Sequence, residues 1–505
     1  MARECDRRGI SDRAGAAICS AVLQDLGIID NDDSSSVVDR SKIRREREKI
    51  RRQLSKQDSS PLELGVGLYF DGRKDLTCVM EKRGNKMYST RVKEEHIVIL
   101  TEPGSTYIGH VTPTTGKAVD IAESITSYLS SSSVDHEKVI AIGCDGTAVN
   151  TGAKGGIIRL LEQHFQRPLQ WFICLLHANE LPLRYLLTNL DGVTHGPKAF
   201  SGPIGTLLMK CNASVTDYEP IPSPKLPQMD LSQLSTDQKY MYEIYDAVTS
   251  GYCNEELANR HPGPVVHARW LTTACRLMRL YIGTKNPSVN LVTLVEYVVR
   301  VYVPVWFAIK SKPSCSQGPR HLWKLCTSTR YLPDHLRDLV RKVISHNGFF
   351  AHSENILLAM LEDERPPIRE LAVRRILLAR SSFVLTSSVR QFRPPEINFE
   401  ATDYTEMILG WQEETRLEPP VLRGIPEEEL WHSIMKEMPA EGGGYRFHFS
   451  SFPCHTQAVE RGIKLVTEAA ALVHGQERRH GFIKAKIVSQ KVMSSFDSKC
   501  EYHTG

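Results

Sequence analysis

Between Leu64 and Leu183 the chain alternates short apolar runs with helical stripes, and this pattern predicts most of its elements there. The runs LGVGLYFD, LTCVME and EHIVIL, each bounded by Gly, Asp, Asn or Pro, read as three successive strands of an antiparallel meander. A Pro/Gly-rich passage, TEPGSTYIGHVTPTTG, follows. From Lys117 to Leu129, the residues Ala118, Ile121, Ala122, Ile125 and Leu129 form an apolar stripe at helical spacing. The stretch from Val139 to Leu183 then reads as strand, helix, strand, helix: VIAIGC, GGIIRLLEQHF, LQWFIC and a helix carrying Cys174 and His177.

The resulting order is β-β-β-α-β-α-β-α. Short connections and right-handed crossovers leave few ways to assemble it, and a ribonuclease H-like α/β sheet is the leading one. That arrangement sets the first and fourth strands side by side. Asp71 of LYFD and Asp145 of AIGCD then emerge at one edge of the sheet, where buried strands of α/β sheets present ligand-binding groups. Asp75, four residues after Asp71, is an alternative first carboxylate. Two carboxylates there, with a third from elsewhere, would hold two divalent ions about a scissile phosphate.

Downstream, loop-rich sequence runs from about Asp191 to Val265, with one helix near DQKYMYEIYDAV. Helical patterns then dominate, among them ARWLTTACRLMRLYIG, LVTLVEYVVRVYVPVWFAIK and PPIRELAVRRILLARSSFVL. After GIPEEEL, Val459, Ile463, Val466, Ala470 and Val473 mark an apolar helix face with Glu460 beside it. A basic arm, HGQERRHGFIKAKIVSQK, extends or follows that helix. The expected divisions are a polar, basic and partly disordered N-terminal tail over 1–61, the first part of the core over 62–190, a connector and mainly α-helical insertion over 191–440, and a core-completing helix with a basic tail over 441–505.

Composition narrows the function classes. With Lys+Arg 63 against Asp+Glu 59 the net charge is only +4, so nucleic-acid binding must rest on local patches. One such patch is RSKIRREREKIRRQLSK, a solvated helix by its mixed charge, or a nuclear-localisation or phosphate-contacting arm through Arg44, Arg45, Lys49, Arg51 and Arg52. The DNDDSSS piece before it reads as a linker. The 12 cysteines show no CxxC pair, which argues for a reducing intracellular compartment. No secretion signal stands at the N-terminus, and no apolar run is expected to span a bilayer. The turn GTAVNTGAKGG fails the phosphate-loop pattern, because Ala153 separates Gly152 from Lys154 and neither Ser nor Thr follows the lysine.

Several landmarks, taken in order, resemble the hAT superfamily of DNA transposases and their domesticated relatives. Asp71 looks like the first catalytic aspartate, and Asp145 in CDGTAVNTG resembles the second. Cys174 and His177 in CLLH match a Cys-x-x-His motif, and Arg269 with Trp270 in HARWLTTACRLM is similar to an Arg-Trp motif at the start of a helical insertion. HTQAVERGIKL resembles the C-terminal block that supplies the last acidic residue, here Glu460. The resemblance implies a DDE triad of Asp71, Asp145 and Glu460 holding Mg²⁺ or Mn²⁺ for phosphodiester cleavage and strand transfer. It also implies DNA contacts from His177 and Arg269 to phosphate and from Trp270 to a flipped base. No BED zinc finger precedes the sheet, and Gly462 follows Glu460-Arg461 where the family more often has a Phe-Ser pair.

The expected partners are therefore DNA and a second copy of the chain, with no membrane, and the expected location is the nucleus. Two other readings stay open: a domesticated DNA- or protein-binding factor without catalysis, and an unrelated α/β enzyme acting on a small molecule at the Asp145 turn.

Overall fold

A computed structural model describes residues 1–29, 37–57, 65–132, 135–194, 200–208, 210, 215–262, 269–381, 393–409, 411, 419–435, 447–455 and 457–490. The DNDDSSS piece and the last fifteen residues of the chain lie outside them. The chain is mixed α/β and divides into two units, Met1–Gln170 with Thr456–Gly505, and Trp171–His455. These boundaries differ from the expected divisions at 190/191 and 440/441.

The first unit is built on β1 (Val66–Arg83), β2 (Lys86–Glu102), β3 (Thr106–Val111) and β4 (Val139–Cys144). With β5 (Gln170–Ile173), which straddles the unit boundary, they form one mixed sheet in the order β3-β2-β1-β4-β5. β2 is antiparallel to both β1 and β3, and β4 is parallel to β1, so the first and fourth strands are neighbours as their order predicted.

The strand boundaries differ from the sequence reading. LGVGLYFD and LTCVME are one strand, β1; EHIVIL is the second half of β2; and the third strand, TYIGHV, sits inside the Pro/Gly-rich passage. The polar interval Gly72 to Asp75 does not break β1, because beyond Asp71 the strand pairs only with β2 and solvent meets much of the ribbon. The reversal falls instead at Gly84-Asn85, where Gly84 adopts φ +61°, the left-handed region a two-residue hairpin turn requires.

In the N-terminal segment the helix expected over RSKIRREREKIRRQLSK is present, and two further helices precede it among the described residues. The segment forms α1 (Ala2–Arg7), α2 (Asp12–Asp25) and α3 (Arg40–Gln57), joined by a buried ion network. Arg47 donates to Asp6 Oδ1 at 2.6 and 2.8 Å and to Asp12 Oδ1 at 2.7 Å, and Arg51 donates to Asp6 Oδ2 at 3.0 Å. Buried carboxylates persist only where such partners hold them.

Between the sheet strands lie α4 (Ala118–Ser131), the single turn α5 (Ala148–Thr151) and α6 (Ile157–Phe165), and α7 (Leu175–Leu190) follows β5. The predicted face of α4 is buried at Ile121, Ala122, Ile125 and Leu129.

The second unit is helical: α7, α8 (Pro203–Leu208), α9 (Thr236–Ser250), α10 (Glu255–Asn259), α11 (Arg269–Ile282), α12 (Val289–Ser311), α13 (Gly318–Ser328), α14 (Asp334–Asn347), α15 (Ser353–Leu361), α16 (Pro366–Ser381), α17 (Pro420–Gly424) and α18 (Glu427–Met435). Contrary to expectation, among the described residues one helix, the 23-residue α12, is long and apolar enough to cross a membrane, with a mean hydropathy of 1.6 in its most apolar 18-residue window. However, 72% of its apolar window is buried inside the protein, as in a core helix. α12 contains a π turn over Val298–Tyr302, and Pro304 follows with no N–H to donate. The Asn179 side chain of α7 donates to Tyr302 O there at 3.0 Å.

The chain closes in the first unit with α19 (Gln457–Leu472) and α20 (Gln476–Gln490). The predicted apolar face of α19 is buried at Val459, Ile463, Val466, Ala470 and, just past its end, Val473, and the helix packs on β1 and β2. α20 packs on α1, α3 and α19.

Candidate functional site

Asp71 lies in β1 two residues beyond Tyr69, which pairs with Gly143, and Asp145 directly follows Cys144, the last residue of β4, so both aspartates stand at the same end of the β1–β4 pairing. Gly143 leaves room for the Tyr69 ring, which an added Cβ there would strike. Asp75 does not fit the same place, since it lies four residues, roughly 13 Å, further along the ribbon and pairs with Arg73 at 3.2 Å.

Both aspartates are half-buried. Asp71 Oδ1 accepts from Gly72 N at 2.8 Å. Asp145 Oδ1 accepts from Thr147 N at 3.1 Å, Thr147 Oγ1 at 2.8 Å and Asn150 Nδ2 at 2.6 Å, so this oxygen caps the turn that begins α5. Its Oδ2 accepts no hydrogen bond among the described residues. The Gly-rich turn after it satisfies its own amides: Gly152 N donates to Ala148 O and Gly156 N to Gly152 O. These amides are not arranged as a phosphate cradle.

Glu460 is in the same unit, exposed in the first turn of α19. The C-terminal end of that helix is tied to the ribbon: Cys78 Sγ donates to Ala471 O at 2.8 Å, and Ser89, opposite Met80, bonds His474 Nε2, just past the helix, at 2.9 Å. Among the described residues, however, no three His, Cys, Asp or Glu side chains are gathered closely enough to hold a metal ion. Asp71 and Asp145 stand at the same end of the β1–β4 pair, and Glu460 does not complete a three-ligand set with them.

The remaining predicted residues belong to the second unit. Cys174 is the buried N-cap of α7, and His177, in the first turn, is half-buried. Arg269 begins α11 with its side chain outside the described residues, and Trp270 is half-buried beside it. Of the basic N-terminal residues, Arg51 and Arg44 are held by Asp6 and Asp12, whereas Arg45, Lys49 and Arg52 line a shallow surface depression along α3.

The sequence reading passed over a cleft of about 1140 Å³ in the first unit, whose walls include Arg51, Arg52, His110, Ser127, Tyr128 and His480. Burial pushes His110 down to about 3, and His480, His96 and Arg479 act in the same direction. Its Nδ1 bonds the Tyr107 hydroxyl at 2.9 Å. No spacing rule in the sequence links His110 to His480. A scan against models of known protein families matches none, and a search of curated proteins returns no match.

Proposed function

We propose that this chain is a DNA-binding protein of hAT-transposase ancestry, built on a ribonuclease H-like sheet, that holds duplex DNA without cutting it through a two-metal centre. The observation that supports the reading is that Asp71 and Asp145 stand at the same end of the paired first and fourth strands, where a ribonuclease H-like sheet sets its first two acidic residues. The interposed helical unit between Gln170 and Thr456 agrees with an insertion that splits such a core. Among the described residues, no three carboxylates are gathered as paired divalent ions need, so the residues at this site do not fit Mg²⁺ or Mn²⁺. Titration of a labelled duplex by fluorescence anisotropy tests the binding. The reading expects saturable, salt-sensitive association, and a folded protein that leaves the duplex free at low salt refutes it.

A second reading, DDE-type cleavage dependent on Mg²⁺ or Mn²⁺, is favoured by the same placement of Asp71 and Asp145 at one end of the β1–β4 pair. It expects calorimetric binding of Mn²⁺ that is lost in Asp145→Asn. That substitution retains the Oδ1 acceptor which caps the turn and replaces only the Oδ2 that takes no hydrogen bond among the described residues.

A further inference from the structure

Beyond Asp71, β1 and β2 have only each other as strand neighbours. β3 leaves β2 at Ile97 and β4 leaves β1 at Tyr69, so the hairpin continues as a two-stranded ribbon for roughly 40 Å. α19 and α20 brace it at Cys78 and Ser89.

Residues opposite each other in an antiparallel pair share a face, so the register sorts the ribbon's charges into two sets. One face carries Lys74, Lys82, Arg91 and Lys93 with a single acid, Glu95; it also bears Leu76, Met80 and Met87, and at Cys78 and Ser89 it is bound by Ala471 O and His474. The other carries Arg73, Arg83 and Lys86 with three acids, Asp75, Glu81 and Glu94.

The two faces also differ in pairing. On the balanced face Arg73 is bound to Asp75 at 3.2 Å and Arg83 to Glu81 at 2.9 Å, with the Arg83 guanidinium over the Tyr88 ring. On the Met80 face Lys74 faces Glu95, and Lys82, Arg91 and Lys93 are exposed and take no ion pair among the described residues.

Charge on an exposed ribbon guards against edge-to-edge association, but either sign serves that end. A face with four cations and one acid, set back to back with a neutral face, has a sign bias that edge protection does not need.

We infer that the Met80 face of the β1–β2 ribbon is a phosphate-backbone contact surface for duplex DNA, through Lys82, Arg91 and Lys93 with Lys74 beside them. The inference rests on the DNA-binding reading above and adds the place of contact. It is independent of base sequence, because amines and a guanidinium on backbone phosphates position a duplex without reading it.

The test compares the full chain with two triple variants of equal charge change: Lys82→Gln/Arg91→Gln/Lys93→Gln on the Met80 face and Arg73→Gln/Arg83→Gln/Lys86→Gln on the other. Binding to a labelled duplex is measured from 50 to 300 mM salt. The first variant is expected to bind on the order of a hundredfold more weakly at low salt, with a salt slope shallower by about 3, and the second to stay within a few-fold of the parent.

If the parent binds and both variants weaken equally, or neither does, the ribbon face is wrong while DNA binding stands. If the parent does not bind duplex, the underlying reading falls and the inference with it. Vesicles with anionic lipid bound more tightly than the duplex, through the same three residues, would mean that the face serves a membrane surface and overturn the inference. Circular dichroism and thermal melting establish that each variant folds. If a triple variant does not fold, Lys82→Gln alone, near the hairpin tip, must lower the slope by about 1 for the inference to survive.

Discussion

Replacing Arg47 with Met removes the centre of the buried network that ties α1 and α2 to α3. The guanidinium makes three hydrogen bonds to carboxylates and one, at 2.8 Å, to Ile10 O, and the side chains of Arg47 and Asp6 are 3% and 2% exposed. Removing one partner of a buried ion pair costs about 3–5 kcal/mol, because the charge left behind has lost its water. Here Arg51 still faces Asp6, and Arg44 and Arg478 still face Asp12, so the lower end, about 3 kcal/mol, applies. Native-state hydrogen exchange reads this locally: amides of α1 and α3 should exchange about a hundredfold faster, while those of the second unit keep their protection. A change below about threefold in α1 and α3 would refute the claim that this network anchors the N-terminal helices.

Gly143→Ala places a Cβ against the Tyr69 ring and should cost about 1–3 kcal/mol in denaturant unfolding. Tyr69→Leu in the same chain should recover part of that loss, and strict additivity of the two would remove the steric explanation. Asn179→Ala leaves the buried Tyr302 carbonyl without the Asn179 donor and should cost about 1–3 kcal/mol, with a near-neutral result showing that the π turn satisfies itself. His321, whose Nε2 lies 2.8 Å from Lys312 O, is pushed down to about 4 by burial from an ordinary 6.5. The unfolded chain takes up that proton first, so this contribution to stability is complete above pH 6.5 or so and fades as the pH falls toward 4, by about 3 kcal/mol in all. His321→Gln should flatten the pH dependence of the unfolding midpoint in that window, and an unchanged slope would contradict the assignment.

What was legible in the sequence is what repeats at short range. The apolar faces of α4 and α19 and the helix within VIAIGCDGTAVNTGAKGGIIRLLEQHF follow from 3.6-residue spacing alone, and the order of elements was enough to place the first strand beside the fourth. Strand boundaries failed where the reason for a strand was not burial. The outer ribbon of β1 and β2 is held by cross-strand pairing with much of its surface in water, so it lacks the apolar alternation by which strands are recognised. β3 was hidden because Thr106 to Val111 is flanked by Pro and Gly. The helix over RSKIRREREKIRRQLSK follows from its charge spacing, but its docking on α1 and α2 does not, because Arg47 meets Asp6 and Asp12 across 41 and 35 residues, a pairing that no local charge pattern reveals. At the site, the pairing of the strands that lead to Asp71 and Asp145 followed from topology, whereas the place of Glu460 depends on how α19 docks on β1 and β2.

The most direct test of the account is a side-by-side assay of the full chain and Asp145→Asn for binding and for Mg²⁺- or Mn²⁺-dependent nicking of duplex DNA. Asn keeps the turn's acceptor, so the two proteins should fold alike. The account predicts that both bind the duplex with similar affinity and that neither nicks it. Nicking by the parent that disappears in Asp145→Asn, or failure of both folded proteins to bind DNA, would contradict it.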